Sequence, residues 1–129
     1  MGDSLIVLEW LNKANTDLKC AKILFEHDGG NEVVAFHSQQ AIEKALKGII
    51  LYFFGILESG HSLLYLCKKV IEKDSEFSNY IESCAFVNQY YIETRYPNEN
   101  PIVVKNEEAQ KCIDIAEDIL NKVSSIVNG

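Results

Sequence analysis

Arginine is almost missing from this chain, for Arg95 is the only one in 129 residues. Lys and Arg together number 12 against 19 Asp and Glu, and the formal net charge of −7 works against indiscriminate binding to nucleic-acid phosphate, which depends on cations neutralising backbone charge. RNA is a disfavoured partner on charge alone, although Lys44, Lys47, Lys68, Lys69 and Lys73 gather in the middle of the chain and leave room for a local basic patch. Long apolar runs are also lacking. The longest, residues 48–57, is far short of the roughly 20 residues that span a bilayer, so no membrane segment is expected. The opening residues lead directly into an amphipathic pattern with charges inside it, which predicts no secretory signal, and Ile6 does not fit a myristoylation signal.

No Cys-x-x-Cys pair occurs. Cys20, Cys67, Cys84 and Cys112 lie far apart with no histidine at zinc-finger spacing, so a zinc site is not expected. Each falls in or beside an apolar stripe, where free cysteine acts as a small hydrophobe, and reduced cysteines agree with a cytoplasmic location. Gly-rich phosphate loops, Gly-x-Ser-x-Gly elbows and His-Glu-x-x-His motifs are absent. Glu58 and His61 have the Glu-x-x-His spacing of di-iron bundles, but Gly60 between them and the lack of a second copy argue against a metal. No metal and no cofactor is expected.

What is present is helical periodicity, with no run of strict apolar–polar alternation. Leu11, Ala14, Leu18, Ala21 and Phe25 step by 3 and 4 and predict a first helix over 4–27. Ala35, Ile42, Leu46, Ile49 and Phe53, with Ile50 and Phe54 beside them, predict a second over 31–54 that is apolar around much of its C-terminal half and so sits centrally or offers a second packed surface. A shorter third helix is expected over 62–73 with Leu63, Leu66, Val70 and Ile71 inward. Asp74 or Ser75 can cap a fourth, carried by Phe77, Ile81, Cys84 and Tyr91 until Pro97 biases Tyr96 away from helical geometry. Asn106 is the expected cap of a last helix, with Glu107 and Glu108 in its first turn and a stripe of Ala109, Cys112, Ala116, Ile119, Val123 and Ile126. The expected fold is all-α: one domain over 1–129, an antiparallel four-helix up-and-down bundle with one additional short helix.

The second helix carries the candidate site. At about 100° per residue, Gln40, Lys44 and Lys47 fall within about 80° of His37. This stripe is either a solvated face, with lysine stems lying over apolar neighbours, or a pocket in which Lys44 or Lys47 receives an anion while His37 and Gln40 supply hydrogen bonds. His61 precedes the third helix, where free backbone N–H groups attract anions, or it simply covers the turn. Arg95 is the one rigid fork for phosphate or carboxylate, or it forms a salt bridge to Glu93, Glu99 or the last helix. Tyr96 beside it completes the candidate ligand contacts. His27 is a favourable partner for the first helix dipole.

The run AFHSQQAIEKALK at 35–47, followed by GHSL at 60–63 and TRYP at 94–97, resembles the HEPN domain, and Trp10, Ala14, Asp17, Leu18 and Ala21 extend the similarity. The resemblance implies an antiparallel bundle that often forms a homodimer. It also implies pairing with a minimal nucleotidyltransferase, as a two-component or toxin-antitoxin system. Some members of the wider superfamily are metal-independent endoribonucleases in which four to six residues separate an Arg from a following His. Here Asn100, Pro101 and Ile102 fill those positions after Arg95, no histidine follows His61, and the related Arg-x4-x-Tyr pattern is absent. The leading expectation is a non-catalytic subunit that binds a nucleotide or other phosphate-bearing ligand through His37, Gln40, Lys44, Lys47, His61, Arg95 and Tyr96. Two alternatives stand beside it: a ribonuclease toxin joining Arg95 to a sequence-distant His37 or His61, and an interaction module that dimerises through Ile50, Phe54 and Tyr90 or Tyr91.

Overall fold

The computed structural model of the chain describes residues 4–91, 97 and 103–129. Five α-helices occupy them: α1 Ser4–Glu26, α2 Asn31–Phe54, α3 Leu63–Ile71, α4 Ile81–Asn88 and α5 Asn106–Asn128, with a 3-10 segment at Ser75–Tyr80 before α4. No strand occurs among the described residues, and the fold is all-α as expected.

The direction of each helix follows from who meets whom at its ends. Gly48, late in α2, lies against Val7, Trp10 and Leu11, early in α1, so these two run antiparallel. Asn31 at the start of α2 donates to the Val104 carbonyl (3.0 Å) and to Asn106 Oδ1 (2.8 Å) at the start of α5, so α2 and α5 run parallel. Lys69 and Lys73, at and just beyond the end of α3, set their ammoniums 4.6 and 5.3 Å from the Phe54 ring at the end of α2, which makes α3 parallel to α2 as well. Asn88 at the end of α4 accepts from the Leu63 N–H at the start of α3 (2.9 Å), so α4 runs back. Helices α1, α2, α4 and α5 therefore alternate in direction, and α3 is the additional short helix.

That path requires residues 55–62 to climb back along α2. Gly55 makes the reversal: it closes α2 in the left-handed region at φ 69° with its N–H bonded to the Leu51 carbonyl (2.9 Å), a conformation that costs glycine nothing. His61 returns in this way to the level of Gln39 and Glu43.

The core joins the predicted stripes of α1, α2, α3 and α5, with Leu11, Ala14, Ile42, Leu46, Ile49, Leu66, Cys112, Ala116 and Ile119 all buried. Small residues let α1 and α2 approach closely. Three expectations change. The single fourth helix is a 3-10 segment followed by only eight α-helical residues, because the Asp74 carboxylate takes the Glu76 N–H (3.0 Å) and starts a tight turn, while the Asn88 side chain is spent on capping α3. The cap of α5 is Lys105, whose N–H donates to Glu108 Oε1 (3.0 Å), since Asn106 is engaged by Asn31. Ile50 and Tyr90, read as an exposed dimer surface, are core residues at 0 % and 1 % exposure. All four cysteines are free, and Cys67, Cys84 and Cys112 are buried. No described helix is long and apolar enough to cross a membrane.

Candidate functional site

The polar stripe of α2 is organised by two carboxylates. Asp17, on α1, is 9 % exposed and lies between Ala14 and Ala21 of the buried stripe. Its Oδ1 meets His37 Nδ1 at 3.0 Å and its Oδ2 accepts from Lys44 Nζ at 2.6 Å. Glu43, on α2 itself, is 4 % exposed. It meets Lys47 Nζ (3.0 Å), His61 Nδ1 (3.1 and 3.2 Å to its two oxygens), Gln39 Nε2 (3.3 Å) and Gln40 Nε2 (3.4 Å). An ionised carboxylate offers about four acceptor directions, and these contacts fill them.

The burial of the Glu43–Lys47 pair explains that density of bonds. Both side chains are under a tenth exposed, and removing two charges from water costs several kcal/mol per ion, offset only when the pair is close and the remaining lone pairs are satisfied. The Trp10 ring lies 6.0 Å from Lys47 Nζ and adds its negative face to the environment of that ammonium. Gln39 is fully buried. It accepts from Gln40 Nε2 (2.7 Å) and donates to the His61 carbonyl (3.3 Å), so α2 holds the backbone of the returning loop as well as its imidazole.

Aromatic rings fix the histidines from the outside. His61 stacks on Tyr91 with centroids 4.5 Å apart and planes 18° from parallel, Tyr91 is 6.2 Å from Phe36, and Phe36 meets the His37 ring edge-on at 5.8 Å. Four of the expected contacts are thus brought onto one flank of the bundle: His37, Gln40 and Lys44 are partly exposed and His61 is exposed. Lys47 shares the network but is buried at 7 % exposure. Arg95 and Tyr96 lie outside the described residues. Both lysines of the stripe are held by carboxylates.

Asp17 and Glu43 escaped the reading of the sequence as site residues. The signals were there: Asp17 is an acid in phase with the apolar stripe of α1, and Glu43 precedes Lys47 at i,i+4 spacing. Two grooves lie elsewhere and are lined by none of the expected contacts that fall among the described residues. One, of about 230 Å³, is bounded by Ile6, Glu9, Trp10 and Lys13; the other, of about 340 Å³, runs between α1 and α5 past Lys22, Phe25, Gln110 and Glu117. The convergent polar groups lie outside both. Among the described residues no group of three or more His, Cys, Asp or Glu is arranged to hold a metal ion.

A protein from Thermus thermophilus, TT1696, has a crystal structure that superposes with a TM-score of 0.83 at 31 % identity, covering 92 % of this chain and 96 % of that one. The crystal structure of ST0689, an archaeal HEPN homologue, gives a TM-score of 0.73 at 30 % identity over 94 % of this chain and 97 % of that one. A Methanocaldococcus jannaschii protein named "Putative toxin MJ1304" is 26 % identical over 132 residues, which are 92 % of this chain and 86 % of the relative. The profile of the HEPN domain matches residues 7–126, so the chain belongs to the HEPN domain family.

Proposed function

We propose that this HEPN domain binds a nucleotide or other phosphate-bearing ligand on the flank carrying His37, Gln40, Lys44 and His61, joined by Arg95 and Tyr96. In this reading it acts in the cytoplasm as a homodimer, as the toxin-side subunit of a pair whose other member is a minimal nucleotidyltransferase. The observation that carries the binding site is the return of His61 to α2. Two histidines 24 positions apart in sequence occupy one flank and are fixed there by carboxylates. Arg95 follows Tyr91 by four residues, an extended reach of about 14 Å at most, and Tyr91 is the ring on which His61 stacks. Lys47 contributes from beneath by neutralising Glu43. The toxin role leans on the similarity to MJ1304.

Calorimetric titration with nucleoside triphosphates, alone and with the candidate nucleotidyltransferase, tests the reading. Saturable binding that weakens at least tenfold in Lys44→Ala and in Arg95→Ala is expected. An absence of heat in both settings, or binding indifferent to both substitutions, refutes it. Sedimentation velocity of the free chain tests the dimer.

One observation favours a second reading, a ribonuclease. His61 has its Nδ1 tethered to a buried carboxylate while its ring stays exposed, the geometry that orients an imidazole for proton transfer. Cleavage of RNA in the presence of a chelator, abolished by His61→Ala and by Arg95→Ala, is then expected. RNA left intact by the wild-type chain removes this reading.

A further inference from the structure

Asp17 and Glu43 repeat one arrangement. Each carboxylate is shared between a lysine ammonium and the Nδ1 of a histidine: Lys44 and His37 on Asp17, Lys47 and His61 on Glu43. The four charges cancel in pairs. Because an ionised carboxylate only accepts hydrogen bonds, each Nδ1 must carry its hydrogen, and in a neutral ring this leaves Nε2 as the acceptor. The lysine supplies one counter-charge to each carboxylate, and the ring supplies an N–H. Among the described residues neither Nε2 has a hydrogen-bond partner. The His61 side chain is 53 % exposed and that of His37 28 %, and the stack on Tyr91 sets the plane of the His61 ring.

We infer that His37 and His61 turn two Nε2 acceptors toward the ligand, with Asp17 and Glu43 as their positioning residues, so that this flank takes the uncharged donors of a nucleoside rather than its phosphates. Those donors are the sugar hydroxyls or a base amino group. With the rings in their neutral form, an ionised phosphate offers oxygen acceptors and would face two further acceptors, with no net positive charge in the cluster to compensate. The identity of the ligand rests on the nucleotide-binding reading above, whereas the state of the two rings does not.

Long-range proton–nitrogen correlation spectra of the histidine rings, recorded at about pH 8.5 where free imidazole is neutral, read the tautomers directly. His37 and His61 are expected as Nδ1–H forms, with exposed His27 as the internal reference for an unconstrained ring. Glu43→Ala shifts His61 toward the His27 pattern and leaves His37 unchanged. If that variant does not fold, the double variant Glu43→Met with Lys47→Met serves the same purpose. An Nε2–H form at His61 in the wild-type chain overturns the inference without any variant. The ligand is then probed with three additions: the four ribonucleoside triphosphates, their 2′-deoxy counterparts, and inorganic tripolyphosphate. Nucleotides are expected to move the Nε2 resonances and tripolyphosphate to leave them in place. A response lost with the deoxy set assigns the 2′-hydroxyl; one retained with every base, uridine included, assigns the 3′-hydroxyl, and one retained only with the bases that carry an exocyclic amino group assigns that group. Tripolyphosphate moving Nε2 as far as the nucleotides do, or nucleotides binding without moving it, overturns the inference while sparing nucleotide binding. Failure of all three to bind defeats the nucleotide reading itself, and with it the ligand half of this one.

Discussion

Glu43 and His61 are 18 residues apart in sequence, and the imidazole Nδ1 of one rests 3.1 and 3.2 Å from the two carboxylate oxygens of the other. The contact exists because the chain reverses at Gly55 and runs back along the helix it has just left. It ties a loop histidine to the same buried carboxylate that neutralises Lys47, so the shape of the exposed flank and the stability of the bundle interior depend on one side chain.

That dependence makes Glu43 sensitive and its loss repairable. Glu43→Ala leaves the ammonium of Lys47 buried without a counter-charge, and a broken buried pair costs about 3–5 kcal/mol. Converting both partners to Met removes the two charges together and should restore most of that stability, because apolar residues of similar volume replace buried ion pairs at little cost. Urea denaturation of the single and double variants measures both. A single variant within about 1 kcal/mol of wild type, the scale of an exposed pair, would mean that the pair is not buried.

Gly48 sets the spacing of α1 and α2. A Cβ added there would lie 3.1 Å from Trp10 Cβ and 3.3 Å from Leu11 Cδ2. The first of these atoms is fixed to the α1 backbone, so it yields only if the helices separate. Alanine is favoured over glycine inside a helix by about 1 kcal/mol, yet strain from added volume in a close-packed contact runs to about 1–3 kcal/mol. Gly48→Ala should therefore be net destabilising by about 1 kcal/mol, and Gly48→Val by more. Thermal melts followed by circular dichroism decide the sign.

Alkaline pH should unfold the bundle through its interior. Burial, with the charges of Cys112 and Glu108 nearby, pushes the Tyr90 phenol up to about 12 from its ordinary 10.0. Burial, with Glu108 adding and Lys111 opposing, pushes the Cys112 thiol up to about 12 from 9.0. Both groups ionise more readily in the unfolded chain, so the stability they protect is complete below about pH 9 and is lost as pH rises toward about 12. Ultraviolet titration should show one tyrosine whose phenolate emerges only with the unfolding transition, and Tyr90→Phe should remove that step. A smooth titration of every tyrosine in the folded chain would contradict this.

Much of the fold is legible in the sequence because α1, α2 and α5 are long enough for a 3- and 4-residue stripe to declare its face over several turns. Leu11, Ala14 and Leu18, or Cys112, Ala116 and Ile119, need no tertiary knowledge to be placed inward. The fourth helix is less legible, since Phe77 and Cys84 keep the helical period while Asp74 and Asn88 spend their side chains on a turn and on a cap of another helix. Of the site, the stripe on α2 can be read from spacing alone. The meeting of His61 with that stripe cannot, because it depends on the return path of residues 55–62. Asp17 and Glu43 were hidden for a different reason. A search for anion contacts looks at cations, and a buried acid is visible as an organiser only when the cations it holds are seen bound to it. The dimer surface built on Ile50 and Tyr90 fails because both complete the core.

Under the proposal, a nucleotide meets this flank rather than either groove. Amide and side-chain chemical-shift mapping with an unhydrolysable nucleoside triphosphate tests it most directly. The largest shifts are expected at His37, Gln40, Lys44, His61, Tyr91 and Arg95. Shifts concentrated at Ile6, Trp10 and Lys13, or along Lys22, Gln110 and Glu117, with the histidine flank unmoved, would contradict it.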